Sequence, residues 1–535
     1  MNWRARVTIM KFSLHLKLQN RKNNEPTSIM KQLITLLFLT TVSAFQGLRA
    51  QEPVSFFPIS GAHNVNPDTH LFITFEGQPA LGQSGFIRIF DAVTGRQVDS
   101  LDMSIPAGPK TADMERKQMA VYSPEPYVYE TTDYTNANTV AGTPSGLAVR
   151  DTSRYHLTII GRFTDGFRFH PVILKGNTVE IYPHHNLLEY GKTYDVTIDP
   201  EVFTTDSTSF KGISSGQWTF STKSALPDTE ERHLIVSNDG TGDFNTVQGA
   251  MDFIPDFSTE RWEVFIRNGD YEELVYFRNK CNVTLRGESR DGVVIHYANN
   301  ETFNPHPVNL KTNEWPGTFP SRRAAFTADN CYDMRFEDLT VMTTLVGQAE
   351  GLLIMGERNF LSNVRVVGSG DALQVNGSVY LTGCVIDGHG DTVLGRGPAF
   401  FHNCTLRSRG PFMWIRNTDA NHGNVFVNCT FIGLGENSMI ARSPVNNRTG
   451  YPYAEAVLID CRLDNIIPAG WGTIGGDGTN NRFWEFNSRT LWGAPVDVSQ
   501  RHPLSRLLDA VKDAEHLRNY RNPAWVLGWD SFAGQ

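Results

Sequence analysis

The sequence of 535 residues predicts an all-β protein in which a right-handed parallel β-helix follows a β-sandwich. From Val283 onward one pattern recurs: an alternating apolar strand, then Asn, Asp or Gly, then a small or apolar residue. Its copies lie 20 to 32 residues apart, and β-type units with a period in the twenties indicate a solenoid. Before Lys223, short β-type runs separated by turn residues instead indicate two packed antiparallel sheets.

The first predicted domain covers residues 51–228, because strands there are short and no long helical periodicity occurs. Together with the last strand of this domain, Asn186–Val196 resembles the bacterial immunoglobulin-like domains that are often attached to secreted carbohydrate-active enzymes. A short linker at 224–228 then leads into the second predicted domain, residues 229–535. Three of the predicted strands are Leu71–Phe75, Gly85–Phe90 and Trp218–Thr222.

The second predicted domain consists of the recurring unit. In a parallel solenoid each turn buries its inward side chains against the next, so a continuous core forms without large helices. Extra residues in the longer turns must project as loops, where a binding cleft can be built. The units are Met334–Leu339, Asn359–Val364, Val379–Cys384, Ala399–Cys404, Asn424–Cys429 and Val457–Cys461.

The net charge and the N-terminal segment argue against nucleic-acid binding and against membrane insertion. The formal net charge is −9 and no lysine-rich run offsets it, so we expect no binding to nucleic acid. Lys31–Gln51 has the layout of a secretory signal peptide, which makes Met30 the expected start and residues 1–50 the leader. Its apolar core, Leu33–Phe45, is too short for a permanent membrane helix. The sequence therefore predicts a secreted or periplasmic protein without membrane insertion.

The six cysteines are interpreted as structural. Four of them, Cys384, Cys404, Cys429 and Cys461, follow an apolar strand at the same place in successive units. Export would permit disulfides, but this recurring position favours small buried side chains stacked in a ladder. Because the spacing matches no zinc pattern of paired cysteines, we expect no metal, and nothing in the sequence implies an organic cofactor.

Two near-identical segments, Gly368–Leu373 and Gly388–Val393, place an aspartate at the same point of successive repeats. Equivalent positions in adjacent turns lie about 4.8 Å apart, so the carboxyl groups of Asp371 and Asp391 are expected within roughly 5 Å of each other. Two acids that close cannot both ionise easily, so one is expected to be protonated while the other is charged. The pair would thus supply an acid and a nucleophile.

Two simpler interpretations of the aspartate pair remain open at this point. Gly-x-Gly-Asp is ordinary turn chemistry, so both aspartates could serve only to cap turns. Calcium binding, as in glycine- and aspartate-rich β-rolls, is less favoured, because those repeats recur about every nine residues and this pair recurs after 20.

A series of short motifs runs from His233 to about Asn487 and resembles the pectin methylesterases, carbohydrate esterase family eight. The motifs occur in the order of that family and at similar spacing, which makes the set far more specific than any single member. We interpret Tyr271 and Glu273, within the second motif, as structural. The motifs are Gly240–Ala250, Gly269–Glu273, Gln348–Leu352, Gly370–Leu373, Gly390–Gly395, Ile440–Pro444 and Ile466–Trp471.

The resemblance implies a catalytic role for four residues. Asp391 would attack an ester carbonyl as a carboxylate nucleophile, and Asp371 would protonate the departing alcohol and then activate water. Arg442 would hold Asp391 ionised and oriented, with a surface ion pair as the simpler alternative. Gln348 would donate to the oxyanion of the tetrahedral intermediate, although a structural side-chain ladder would explain this residue equally well.

Two departures from the family pattern lie at the expected site. Gly370 stands where the family has a glutamine, so one oxyanion donor is missing or replaced; losing such a donor typically costs about 100- to 1000-fold in turnover. Pro444 stands where a tryptophan is expected, which removes the usual surface for stacking a sugar ring. Trp414 and Arg416 are candidate substrate-binding residues, supplying an aromatic face and a cation for a carboxylate.

The implied activity is hydrolysis of methyl esters on galacturonic-acid residues of pectin, with the parallel β-helix as the catalytic domain and a pectic polysaccharide or oligosaccharide as partner. We expect a monomer. A glycosidase or an acetylesterase acting on the same polymers stays open, because retaining glycosidases also use paired carboxylates about 5 Å apart. A non-catalytic polysaccharide-binding protein is the third alternative, motivated by Gly370 and Pro444.

Overall fold

The computed structural model describes residues 53–108, 155–161, 167–204, 210–304, 322–443, 445–446, 449–474 and 479–531. The predicted leader and Pro444 lie outside these residues, so both interpretations stay predictions. No helix in the described part of the chain is long and apolar enough to cross a membrane.

Short strands make up the N-terminal part, together with a 3₁₀ turn at Pro200–Val202. The strands are β1 (Pro53–Phe57), β2 (Ala62–Val65), β3 (Leu71–Phe75), β4 (Ala80–Leu81), β5 (Phe86–Asp91), β6 (Gln97–Asp102), β7 (Leu157–Thr158), β8 (Phe167–Arg168), β9 (Val172–Lys175), β10 (Thr178–Ile181), β11 (Thr193–Ile198), β12 (Phe203–Thr204) and β13 (Thr219–Thr222).

These strands form two main sheets around one core. One sheet has the order β1-β3-β10-β9, and the other has the order β2-β13-β11-β5-β6, in which only the β2–β13 pair is parallel. Alternating burial along β3 and β10 places Ile73 and Val179 in the same apolar core as Ile89 and Val196 of the second sheet. The immunoglobulin-like character of this part and the predicted domain limits remain predictions.

The remaining strands belong to the solenoid, which also carries helix α1 (Val247–Phe253) and ends in α2 (Ala514–Tyr520) and α3 (Pro523–Leu527). Its strands are β14 (His233–Val236), β15 (Trp262–Ile266), β16 (Gly269–Glu272), β17 (Val275–Arg278), β18 (Val283–Gly287), β19 (Val293–Tyr297), β20 (Phe326–Asp329), β21 (Arg335–Glu337), β22 (Thr340–Thr343), β23 (Leu352–Ser362), β24 (Arg365–Val367), β25 (Leu373–Thr382), β26 (Val385–Asp387), β27 (Val393–Gly395), β28 (Ala399–His402), β29 (Thr405–Ser408), β30 (Pro411–Ile415), β31 (Asn424–Val427), β32 (Thr430–Gly433), β33 (Met439–Arg442), β34 (Val445–Asn446), β35 (Thr449–Gly450), β36 (Glu455–Ile459), β37 (Arg462–Asp464), β38 (Arg482–Phe486) and β39 (Arg506–Leu507).

Parallel pairing between successive turns confirms the predicted parallel β-helix. One face has the order β14-β15-β18-β21-β23-β25-β28-β31-β36-β38-β39, and a second has the order β16-β19-β22-β24-β26-β29-β32-β37. A third face, comprising β17, β20, β27, β30 and β33, joins the first because β23 and β25 run unbroken through the corner between them. Among the described strands of this region, the β34–β35 hairpin is the one antiparallel pair, and isolated antiparallel bridges join Ser369 to Ala349 and to Asp371.

Register between the turns confirms the repeat derived from the sequence. The central apolar residues of the predicted units pair directly with one another and are fully buried, and the four cysteines that follow them are buried as predicted. The paired residues are Phe336, Leu361, Leu381, Phe401, Phe426 and Leu458.

The backbone conformation explains why Asn, Asp or Gly ends each unit. Asn363, Asn403 and Asn428 have φ values of 52°, 53° and 55°, which is the left-handed region that asparagine, aspartate and glycine tolerate best. Asp338 and Asp460 adopt the same conformation with φ of 54° and 56°. These five turns therefore leave the first face by the same backbone bend.

The N-terminal sheets pack against the early turns of the β-helix. Tyr276 of β17 is buried in the core of the sheets, and its ring centroid lies 4.5 Å from that of Phe167. Lys175 of β9 pairs with Glu272 at 2.7 Å. Arg322 places its guanidinium 4.8 Å from the ring centroid of Phe167, so the sheets contact the third face of the β-helix.

Truncating one residue of the buried register tests this fold. Leu381→Ala should lower the free energy of unfolding by about 2–5 kcal/mol, because the cavity left in a stacked core cannot close. Val346, which is 81% exposed, provides the control, and Val346→Ala should change it by less than about 0.5 kcal/mol. Urea unfolding of both variants measures the difference, and equal effects would contradict the assigned register.

Candidate active site

Asp391 and Arg442 form a two-point ion pair on the third face. The Arg442 Nε donates to Asp391 Oδ1 at 2.8 Å, and its Nη2 donates to Oδ2. Asp391 lies in the turn before β27 with a φ of 48°, an uncommon conformation for a side-chain-bearing residue. Both of its carboxylate oxygens are used by Arg442, which differs from an aspartate that only caps its own turn.

Asp371 occupies the equivalent place one turn earlier. The turns are held in register by the Ala372 amide, which donates to the Thr392 carbonyl at 3.0 Å, and by pairing of Leu373 with Val393. The spacing of adjacent parallel strands, about 4.8 Å, therefore separates the backbones of the two aspartates. The structure thus places the two aspartates in equivalent positions of adjacent turns, and the charge of Asp391 acts on Asp371.

The two aspartates differ in their surroundings. Asp371 is 6% exposed, and its Oδ2 accepts a hydrogen bond from Arg323 Nη2 at 2.8 Å. Burial raises the pKa of Asp371 to about 7; Glu350 and Asp391 add to this effect, whereas Arg323 and Arg416 oppose it. Near neutral pH this carboxyl group can therefore both give and take a proton.

Arg323 and Glu350 were not predicted from the sequence. Arg323 precedes β20, Glu350 precedes β23, and both are buried; Arg323 contacts Asp371 directly, and Glu350 contacts Arg323. Glu350 did carry a signal, because it is a charged residue in a motif where the resembling family has valine. A carboxylate at an apolar position needs a buried cation, but the sequence alone does not indicate which arginine supplies it.

Gln348 lies beside Arg323 at the edge of the cluster. Its side chain is exposed, and its Oε1 accepts from Arg323 Nη1 at 3.1 Å. An amide whose oxygen is engaged in this way presents its Nε2 donors at the opposite end. Gln348 is thus placed near Asp371 through Arg323.

The backbone conformation at Gly370 leaves no room for a side chain. Its φ is 91°, and a Cβ atom built on it would lie 2.7 Å from the Gly347 carbonyl oxygen. The glutamine expected at this position from the family resemblance would therefore require a different path of the turn. The missing donor is a consequence of the local backbone.

Trp414 and Arg416 lie on the same face as Arg442. Trp414 of β30 pairs in register with Arg442 of β33, and the Arg442 guanidinium lies 5.3 Å from the indole centroid. The guanidinium of Arg416 lies 5.0 Å from the same ring. The indole is therefore a cation–π partner of the arginine that holds Asp391. All six predicted site residues converge on this region.

No metal site accompanies this cluster: among the described residues, no group of three or more His, Cys, Asp or Glu side chains could hold an ion. An apolar pocket does occur elsewhere, between the N-terminal sheets and α1, where His70, Tyr182 and Leu274 are among the lining residues. None of the predicted site residues lines that pocket. The two carboxyl groups lie instead on the third face of the β-helix, Asp391 partly exposed and Asp371 buried.

Comparisons with known proteins agree with the motifs. The family described as Pectinesterase matches residues 233–502. The chain is 29% identical over 254 residues to "Probable pectinesterase/pectinesterase inhibitor 42" of Arabidopsis thaliana, covering 44% of this chain and 46% of that protein. It is 29% identical over 300 residues to "Pectinesterase QRT1" of the same plant, covering 52% and 75%. The chain thus spans about half the length of the first of these relatives.

Two solved structures are also similar to part of this chain. A pectin methylesterase from carrot has 19% sequence identity and a TM-score of 0.45, covering 58% of this chain and 96% of that one. Pectin methylesterase PemA from Erwinia chrysanthemi has 22% identity and a TM-score of 0.44, covering 56% and 97%.

A pair of glycine substitutions tests the backbone at the first aspartate. Gly370→Ala should lower the free energy of unfolding by at least about 1–2 kcal/mol, because alanine is strained at positive φ and clashes with Gly347. Gly390 is the equivalent glycine one turn later, where a Cβ atom would meet nothing closer than 3.8 Å. Gly390→Ala should therefore stay within about 1 kcal/mol of wild type. Thermal unfolding provides the measurement, and equal destabilisation would contradict the described turn.

Proposed function

Since the chain belongs to the pectinesterase family, we propose that it hydrolyses the methyl esters of galacturonic-acid residues in pectin. The observation that carries the proposal is the inequality of the two carboxyl groups. Asp391 is held at two points by Arg442, whereas Asp371 is buried and titrates near neutrality. One group is suited to attack and the other to proton transfer.

Asp391 begins the reaction as the nucleophile. A carboxylate oxygen forms a bond to the ester carbonyl carbon, and the carbonyl oxygen becomes an oxyanion. When the tetrahedral intermediate collapses, the bond to the methoxy oxygen breaks, and protonated Asp371 transfers its proton to that oxygen. Methanol leaves, and the galacturonyl group remains on Asp391 as a mixed anhydride.

Water completes the cycle. Asp371, now a carboxylate, removes a proton from a water molecule, whose oxygen attacks the galacturonyl carbonyl carbon of the anhydride. The bond to Asp391 breaks, which leaves a free carboxyl group on the galacturonic-acid residue of the polymer and restores both aspartates to their starting states. The net reaction consumes one ester and one water and yields one acid and one methanol.

Gln348, Trp414 and Arg416 support this chemistry in the proposal. The Nε2 of Gln348 donates to the oxyanion, which stabilises charge that develops only during reaction. Arg416 provides a cation for a free carboxylate on a neighbouring sugar, and Trp414 orients Arg442 by the cation–π contact described above. The predicted leader motivates the further proposal that the protein acts after export, where it meets the polysaccharide.

Product analysis tests the proposed reaction. The wild-type protein should release methanol from methyl-esterified pectin without shortening the chains, and Asp391→Asn should abolish the release. Asp387 provides a matched control, because it pairs with Arg365 and Arg407 away from the cluster, so Asp387→Asn should keep the activity. Acetate release would favour an acetylesterase, and shortened chains would favour a glycosidase. Equal slow release by wild type and Asp391→Asn would favour a non-catalytic binding protein.

The pH dependence of kcat/KM provides a second test. Because Asp371 must be protonated to transfer a proton to methanol, and its pKa is raised to about 7, kcat/KM should fall as pH rises through about 7. Asp371→Asn should lower kcat by about 100- to 10,000-fold. A wild-type rate that stays constant from neutral into alkaline pH would contradict the role of Asp371 as the acid.

A further inference from the structure

A buried arginine and a buried glutamate lie beside Asp371 in the two turns that precede it. Arg323 is 7% exposed and Glu350 is fully buried. Neither residue belongs to the reaction as derived above, yet Arg323 donates a hydrogen bond directly to the carboxyl group that transfers the proton. Burying both charges is costly unless they serve each other or a third group.

The contacts divide the Arg323 guanidinium between structural and reactive partners. Its Nε lies 2.9 Å from both oxygens of Glu350, and its Nη2 lies 2.7 Å from Glu350 Oε1. The same Nη2 reaches Asp371 Oδ2 at 2.8 Å. Glu350 thus fixes the plane of the guanidinium, and that plane fixes one oxygen of Asp371.

We propose that Arg323 and Glu350 are positioning residues for Asp371: Arg323 holds its carboxyl group, and Glu350 neutralises the positive charge that Arg323 would otherwise impose on it. The inference rests on the proposed hydrolytic function, in which Asp371 must alternate between acid and base. It assigns the pair no contact with the reacting atoms.

An arginine whose charge is not neutralised would make the carboxyl group that it holds a poorer proton donor. A fixed cation at hydrogen-bond distance stabilises the ionised carboxylate and typically lowers a carboxyl pKa by about 1–3 units. With Glu350 bound to the same guanidinium, the pair as a whole is close to neutral. Consistent with this balance, burial dominates and raises the pKa of Asp371 to about 7 despite the contact with Arg323.

The bare backbone at Gly370 explains why the support comes from earlier turns. A side chain at position 370 is excluded by the Gly347 carbonyl, so the residue preceding Asp371 cannot hold its carboxyl group. Among the described residues, the only hydrogen bond to the Asp371 side chain comes from Arg323 and engages Oδ2. Oδ1 therefore remains the oxygen that carries the exchangeable proton.

Other ionisable groups also face Asp371 and bear on its titration. They are Asp391 in the next turn, Arg416 after β30 and Arg442 at the end of β33, while Glu301 faces Arg323, its Oε2 lying 3.3 Å from Arg323 Nη1. None of them is altered by the substitutions below.

Variants that remove one charge test the proposal. The quantity measured is the alkaline limb, which is the fall of kcat/KM for methanol release as pH rises. In Glu350→Gln the uncompensated Arg323 should move that limb to lower pH by about one unit or more. In Arg323→Gln the uncompensated Glu350 should move it to higher pH by a similar amount. The double variant Arg323→Gln/Glu350→Gln should return the limb close to its wild-type position, because both charges are then absent.

Two further variants separate positioning from general stability. Arg323→Lys keeps the charge, so its limb should stay near wild type and its kcat should exceed that of Arg323→Gln, with KM little changed in both. Asp329→Asn breaks a comparable buried pair, Arg278 with Asp329, in which both side chains are 2% exposed. This control should lower the melting temperature without moving the limb.

A measurement that does not depend on turnover distinguishes failure of the proposed function from failure of the positioning role of Arg323 and Glu350. The infrared C=O band of protonated Asp371, assigned by its loss in Asp371→Asn, should titrate at lower pH in Glu350→Gln and at higher pH in Arg323→Gln. If the wild type releases no methanol but the band shifts in this way, the pair positions Asp371 and the proposed function is wrong. If methanol is released but neither limb nor band moves in either variant, the pair is merely structural and the inference is overturned.

Discussion

In-register parallel stacking of successive turns is the constraint on which the rest of the molecule depends. Each turn of the β-helix repeats the path of the one before it, so a residue at a given place lies one strand spacing from its equivalent, about 4.8 Å. Asp371 and Asp391 are close for this reason, and Trp414 lies beside Arg442 for the same reason. The left-handed Asn and Asp residues at the corners keep the register uniform.

Stacking makes the aspartates neighbours, but the side chains around them make them different. Arg442 approaches Asp391 from two turns further along the chain, at a partly exposed position. The Arg323–Glu350 pair approaches Asp371 from earlier turns, and both of its side chains are buried. Each carboxyl group is thus supported by charges from its own side of the stack. The N-terminal sheets contact Arg322, immediately before Arg323, so their packing is linked to this support through the backbone.

Local patterns predicted the scaffold well because the solenoid is built from local repetition. The strand units around Leu361, Leu381 and Phe401 are defined by alternation and by the residue that follows, and both signals lie within a few positions of sequence. The site was predicted where it follows the same period, as for Asp371 and Asp391. Arg323 escaped prediction because it lies in no repeated position and its buried partner Glu350 is 27 residues away in the sequence.

The sequence by itself determined the parallel β-helix, its register, the family and the two aspartates, because each depends on a period or motif contained in the chain. Only the tertiary structure decided which arginine binds which aspartate. Arg442 and Arg323 are both arginines near motifs, and their division between Asp391 and Asp371 depends on which turns stack next to each other. The sequence shows that a donor is missing at Gly370, but only the structure shows that the Gly347 carbonyl in the preceding turn leaves no room for a side chain there.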